Sequence, residues 1–190
     1  MRARAHAFLA ASLDGFIARP DGGLDWLLQR HAQAPAGEDF GYAEFFSRMD
    51  ALVMGRGSFE AVQGFDPWPY GDKPVWVCSR RPLQLLPGKP LQQTAEPLAA
   101  LLERLGGQGV RQVYLDGGQL VHSALREGLL DSLTLTVIPV LLGQGRTLWG
   151  ALPGDVGLQL EAATPYPDCG FVQLRYRVNA ERNEAVAGDP

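Results

Sequence analysis

Between Val110 and Arg126 the chain reads VRQVYLDGGQLVHSALR. Residues 110–115 have the apolar density of a buried strand, and residues 120–126 the spacing of a helix. Only Asp116-Gly117-Gly118-Gln119 separates them, so a strand must turn directly into a helix. Two adjacent glycines permit positive φ and a close approach of the backbone. The helix start presents unpaired N–H groups and a positive dipole end, which suits a phosphate. The same four residues also make a tight turn with no ligand. Without G-x-G-x-x-G they are not the Rossmann fingerprint.

The rest of the chain repeats the pattern. Residues 5–11 read as a first buried strand, followed by Asp14-Gly15, either a plain turn or a strand end offering backbone amides. Residues 24–28 are a short apolar segment of undecided type. Residues 39–49 space Phe40, Phe45, Phe46 and Met49 as one face of a helix, with Asp39 near its start as a cap. A strand at 51–54 runs into Gly55-Arg56-Gly57-Ser58 and a helix over 59–63. Arg56 offers a fork of donors to a phosphate, or is simply a solvated surface arginine. Residues 64–74 are a turn-rich loop with Trp68 and Tyr70 expected at the surface. The strand at 75–78 ends in Ser79-Arg80-Arg81, a seat for a second phosphate or an ordinary polar strand end. A strand at 89–93, a helix at 96–105 and a strand at 132–140 follow. Residues 158–163 and 171–178 alternate apolar and polar residues as an antiparallel hairpin.

Strands alternate with helices through residue 126, and strands close the chain. The expected architecture is a mixed α/β sheet, mainly parallel, with helices on both faces and an antiparallel C-terminal hairpin. A parallel sheet brings its strand C-termini to one edge. The junctions at 55–58, 79–81 and 116–119 would then meet one extended ligand with several phosphates, which a dinucleotide satisfies. The 190 residues fit a single domain over 1–178, with a frayed polar tail at 179–190.

Bulk properties narrow the function. A net charge of −4 argues against a broad nucleic-acid surface. Cys78 and Cys169 form no disulfide framework, which favours the cytoplasm. The N-terminal apolar stretch is interrupted by Asp14, so neither a signal peptide nor a membrane span is expected. His6, His31 and His122 share no ligand spacing, so no metal site is expected.

Four segments, in order, resemble the dihydrofolate reductase superfamily. They are Ser12-Leu13-Asp14-Gly15-Phe16-Ile17-Ala18, Leu52-Val53-Met54-Gly55-Arg56, Val113-Tyr114-Leu115-Asp116-Gly117-Gly118 and Pro139-Val140-Leu141-Leu142-Gly143. The closer likeness is to the reductase domain of the bifunctional riboflavin-biosynthesis deaminase–reductase and its stand-alone relatives. The resemblance implies NADPH as hydride donor. Ala10 and Ile17 would offer backbone groups to the nicotinamide amide. Gly55, Arg56, Gly57 and Ser58 would hold phosphates, and Ser79 and Arg80 would meet the adenosine 2′-phosphate. Gly117, Gly118, Gln119 and Leu120 would hold the pyrophosphate.

On the substrate side, the resemblance implies Trp26, Tyr42, Phe46 and Thr136 as contacts. It also implies Asp39, or failing it Asp14, as the proton-donating carboxylate. Asp72 stands where folate reductases carry the arginine that binds the glutamate tail, so folate is disfavoured. The chain has no His-x-Glu with Pro-Cys-x-x-Cys, the mark of the deaminase half. The expected function is an NADPH-dependent reductase of a small heterocycle, resembling 5-amino-6-(5-phosphoribosylamino)uracil reductase. The alternatives are a dihydrofolate or pterin reductase and a non-catalytic NADP-binding protein. Related reductase domains pair, so a homodimer is expected.

Overall fold

The computed structural model describes residues 1–179. In chain order the elements are β1 (Arg4–Ser12), β2 (Phe16–Ala18), α1 (Asp25–His31), α2 (Tyr42–Ser47), β3 (Ala51–Gly55), α3 (Arg56–Val62), β4 (Val75–Cys78), β5 (Leu91–Thr94), α4 (Leu98–Gly107), β6 (Gln112–Asp116), α5 (Gly118–Arg126), β7 (Leu130–Ile138), β8 (Arg146–Thr147), β9 (Leu158–Tyr166) and β10 (Phe171–Val178). Eight strands form one sheet in the order β5-β4-β3-β6-β1-β7-β10-β9. The pairings from β5 to β7 are all parallel. β10 is antiparallel to both β7 and β9. This is the mixed sheet with a C-terminal hairpin that the sequence pattern implies, and the fold is dihydrofolate-reductase-like.

Strand alternation sends successive residues to opposite faces. One face carries Ala5, Ala7, Ala51, Val53, Val113, Leu115 and Leu133, and α4 and α5 cover it. Helix α4 buries Leu98, Leu101, Leu102 and Leu105, a helical spacing that makes one apolar stripe. The other face carries Leu52, Met54, Val75, Val77 and Tyr114, covered by Phe45 and Met49 of the α2 region and by Phe59. Truncating a fully buried leucine such as Leu102 to alanine costs about 2–5 kcal/mol.

Three local features depart from the sequence expectations. Trp68 and Tyr70 are buried rather than exposed, 7% and 6% accessible, because their loop folds back onto this second core. Their rings meet edge to face at 5.1 Å, and Tyr70 also packs on Phe46. Helix α2 begins at Tyr42 rather than at residue 39. Phe40 and Gly41 both adopt positive φ, 56° and 78°, and a left-handed pair cannot start a right-handed helix. Finally, β2 and β8 form a separate two-stranded sheet. The expected tail falls outside the described residues from 180 onward.

Candidate active site at the C-terminal edge of the sheet

The C-terminal ends of β1, β3, β4 and β6 lie on one edge, and the junctions singled out above converge there. At β6 the chain passes through Gly117 at φ 103° before α5 starts at Gly118. A Cβ built on Gly117 would lie 2.5 Å from Ser58 Oγ, and one on Gly118 would run into the Ile17 side chain. Only glycine allows the α3 and α5 starts and the β2 segment to approach this closely. Gly55 and Gly57 face open space, with nothing within 4 Å of a Cβ built there.

Arg56 is tied into the protein. Its Nε donates to Ser79 Oγ at 3.1 Å, Nη1 to Glu60 at 3.0 Å, and Nη2 to the carbonyls of Arg81 and Pro82 at 2.7 and 2.9 Å. It therefore clamps the loop after β4 onto α3. Ser79 donates to the Arg81 carbonyl at 2.7 Å. Arg80 is exposed and its side chain has no partner among the described residues. Gln119 is exposed, and Leu120 packs partly against the first core.

At the centre of the edge sits a carboxylate that sequence reasoning treated only as a turn residue. Asp116, the last residue of β6, lies beside Ser58 and accepts a hydrogen bond from the Gly117 N–H. The Tyr114 hydroxyl stands 3.2 Å from its Oδ1 and 3.2 Å from the Phe8 carbonyl. Burial raises its pKa above the ordinary carboxylate value, against the lowering effect of these hydrogen bonds. Burial also raises the Tyr42, Tyr70 and Tyr114 hydroxyls, with the charge of Asp116 adding to the effect on each. A group that holds its proton more tightly than usual beside a ligand-sized set of backbone donors is a candidate acid. The available signal was the alternation of Gln112, Tyr114 and Asp116, which puts the carboxylate on the same face as Tyr114.

Beside Asp116, β1 and β7 run in register, with Ala10 opposite Thr136 and Thr136 opposite Gln173 of β10. Gln173 donates to Thr136 Oγ1 at 3.1 Å and to the Phe40 carbonyl at 2.9 Å. Tyr42 and Phe46 stack at 5.6 Å, and Tyr42 meets Phe8 edge to face at 5.5 Å. Trp26 is buried in a third cluster with Phe40, Ile138 and Phe171. The structure thus brings Ala10, Thr136, Tyr42 and Asp116 to one side of the sheet, with Phe8 and Gln173 as further members.

The two carboxylates expected as acids are engaged otherwise. Asp39 is exposed, and its oxygens accept from the N–H groups of Gly41 and Ala43, both at 2.8 Å. This is the capping geometry. Asp14 accepts from Ser12 Oγ at 2.5 Å and from the Leu142 and Gly143 N–H groups at 3.1 and 2.7 Å. Those bonds hold its pKa below the usual range, the Ser12 contact most of all, so it stays ionised at neutral pH. Its place is a clasp between the β1–β2 turn and the loop after β7. Cys78 at the end of β4 is a free thiol whose pKa burial pushes up to about 11, so it is protonated and unreactive. Among the described residues no group of three or more His, Cys, Asp or Glu could hold a metal ion. No helix among them is long and apolar enough to cross a membrane.

A mainly parallel sheet with glycine junctions along the C-terminal edge of its strands is a reductase fold. The chain belongs to the RibD C-terminal domain family, whose model matches residues 6–168. It is 32% identical over 171 residues to the uncharacterized protein YwjB of Bacillus subtilis (strain 168), covering 89% of this chain and 94% of that one. A solved structure from Shewanella sp. PV-4, named for riboflavin biosynthesis, is 32% identical with a TM-score of 0.83, covering 94% and 99% of the two chains. Dihydrofolate reductase from Enterococcus faecalis, complexed with NADP(H), shares the fold at 17% identity and TM-score 0.60, covering 97% and 99%.

Proposed function

We propose that this protein is an NADPH-dependent reductase of a small heterocycle, of the ribosylaminopyrimidine kind. One observation carries the reading: the raised-pKa carboxyl of Asp116 stands between the glycine junctions of β3 and β6 and the row Ala10–Thr136–Gln173. The residues present fit the cofactor. Gly55 and Gly57 leave open space along the edge, Gly117 and Gly118 bring backbone amides to the start of α5, and Arg80 has no partner among the described residues. Gly55, Gly57, Ser58 and residues 117–120 would hold its phosphates, with Ser79 and Arg80 at the 2′-phosphate. Ala10 and Ile17 would position the nicotinamide amide. When bound, the cofactor supplies a hydride.

Asp116 holds the proton that must accompany the hydride, in place of Asp39 or Asp14. Tyr114 orients it, and Thr136, Tyr42, Phe46 and Trp26 shape the substrate side. Arg56 supports the cofactor end by clamping residues 79–82. We further propose a cytoplasmic homodimer. The support is the edge strand β9, nearly all exposed and carrying Leu158 and Leu160, an edge that proteins usually cover.

The test is a substrate panel with the purified protein, read by loss of reduced-cofactor absorbance. Turnover of 5-amino-6-(5-phosphoribosylamino)uracil with little on dihydrofolate supports the reading. Asp72, at the position the resemblance gives to the folate-tail arginine, is exposed, and the adjacent Lys73 is turned inward to the Met49 carbonyl and the Phe46 ring. Efficient dihydrofolate reduction would replace the reading with the folate one.

A further inference from the structure

A cavity lies at the end of the sheet opposite the glycine junctions. Its volume is about 480 Å³, within the usual size of a small-molecule site. It sits by the first residues of β1, β6 and β7 and the last of β10, and Arg4 is eight residues, roughly 26 Å, before Ser12 along β1. The Phe8 ring, between His6 and Ala10 along β1, packs on Tyr42 and Phe45 at 5.5 and 5.1 Å.

The cavity has a polar floor, an apolar wall and a charged rim. The floor is His6, 9% exposed, with Nδ1 2.7 Å from Ser132 Oγ and Nε2 2.5 Å from Gln112 Oε1. Phe45 and Met49, both buried, form the wall. Arg4, Arg48, Arg175 and Arg177 form the rim, each with more than half of its side chain exposed. Against these four cations the lining holds two carboxylates, Asp131 and Glu161, so the excess is two positive charges. Their outer partners, Arg2 for Asp131 and Glu44 for Arg48, cancel and leave that excess unchanged. The chain as a whole is at −4, so the local sign is opposite to the global one. Guanidinium forks match oxyanions of two charges, and a flat apolar body matches the Phe45–Met49 wall.

We propose that this cavity is a second ligand site, separate from the C-terminal edge of the sheet, for a small phosphate monoester with a flat or apolar body. The dianion sits among Arg4, Arg48, Arg175 and Arg177, and the body lies on Phe45 and Met49 above the His6–Ser132 floor. The site stands on this geometry alone and does not depend on the cofactor reading.

The test is NMR of the ring protons of His6, His31 and His122 in the full chain, with His6 assigned from His6→Gln. The probes are phenyl phosphate, inorganic phosphate and benzoate at pH 8, where the monoester is dianionic. Phenyl phosphate should shift His6 with a Kd below about 1 mM at low salt, tighter than phosphate alone and tighter than benzoate. The double variant Arg175→Glu/Arg177→Glu should weaken it at least tenfold while His31 and His122 keep their native shifts. Equal binding of benzoate and phenyl phosphate would reduce the site to a nonspecific anion patch and overturn the proposal. So would a His6 resonance that no probe moves, or one that changes only with protein concentration, which would mark the cavity as a face covered by a second copy.

Discussion

The Tyr114 hydroxyl lies 3.2 Å from the Asp116 carboxylate and 3.2 Å from the Phe8 carbonyl. A phenol has one proton and cannot donate to both. When Asp116 is protonated the conflict ends: the carboxyl donates to the Tyr114 oxygen, and Tyr114 donates to Phe8. Protonation of Asp116 thus removes the competition for the Tyr114 proton, in line with the raised pKa that burial imposes against the Ser58 and Gly117 hydrogen bonds.

Asp116→Asn should accordingly separate activity from stability. Removing the acid should cut turnover by about 10²–10⁴ with cofactor affinity nearly unchanged. A folded pKa raised above the unfolded 3.8 stabilises fully below that value and loses the benefit as pH rises through the folded pKa. Above 3.8 the burial that raises the Asp116 pKa therefore costs stability, and asparagine keeps the neighbouring hydrogen bonds without that cost. Thermal denaturation should show the variant melting above wild type at pH 7 and level with it near pH 4. A variant that melts lower at every pH would mean that Asp116 is a structural anion.

Asp39 gives the contrasting case. Asparagine caps about as well as aspartate, so Asp39→Asn should leave both turnover and melting temperature close to wild type. Asp39→Ala should lose about 0.5–2 kcal/mol, because the Gly41 and Ala43 N–H groups lose their acceptor. Steady-state rates and denaturation curves for the pair decide it. A large drop in turnover for the asparagine variant would return the acid role to Asp39.

The two arginines at the cofactor end should fail differently. Arg80→Ala should weaken NADPH while sparing NADH, by about 1.5–3 kcal/mol for one charge-assisted contact. Arg56→Ala should weaken both cofactors, because it frees the loop that Arg56 holds through Ser79, Arg81 and Pro82. Affinities of both nucleotides for both variants check this, and an Arg56→Ala effect confined to NADPH would contradict the clamp.

His6 adds a pH dependence of the opposite sign to that of Asp116. Burial lowers its pKa below 6.5, although Gln112 and Asp131 pull it up, and Arg4 and Arg48 push it further down. A depressed folded pKa gives stability that is present above 6.5 and is lost as pH falls through the folded value. The slope is at most about 1.4 kcal/mol per pH unit for one proton. His6→Gln should flatten denaturant-derived stability between pH 6.5 and 5. An unchanged slope in the variant would assign the acid loss to other groups.

The sheet was largely legible in the sequence because its signals are local. The runs at 51–54, 75–78 and 171–178 are apolar or alternating and end in glycine, serine or turn residues, and each is a strand in the structure. The glycine junctions were legible for the same reason. What escaped depends on residues distant in sequence. Trp68 and Tyr70 sit among turn residues, and only the fold-back onto Met54 and Phe46 buries them. The family resemblance implied Asp39 as an acid, but the left-handed turn at Phe40 and Gly41 commits it to backbone N–H groups. Asp116 looked like a turn residue: alternation along β6 puts it on the face of Tyr114, but nothing local shows that Tyr42, Tyr70 and Ser58 gather there too.

The central claim is that the glycine-lined edge holds NADPH, and calorimetric titration of the wild-type chain with NADPH and NADH tests it most directly. The account predicts one site per chain and an NADPH affinity at least about tenfold above that for NADH, a difference of about 1.4 kcal/mol. Equal affinity for the two nucleotides, or no binding of either, would contradict it.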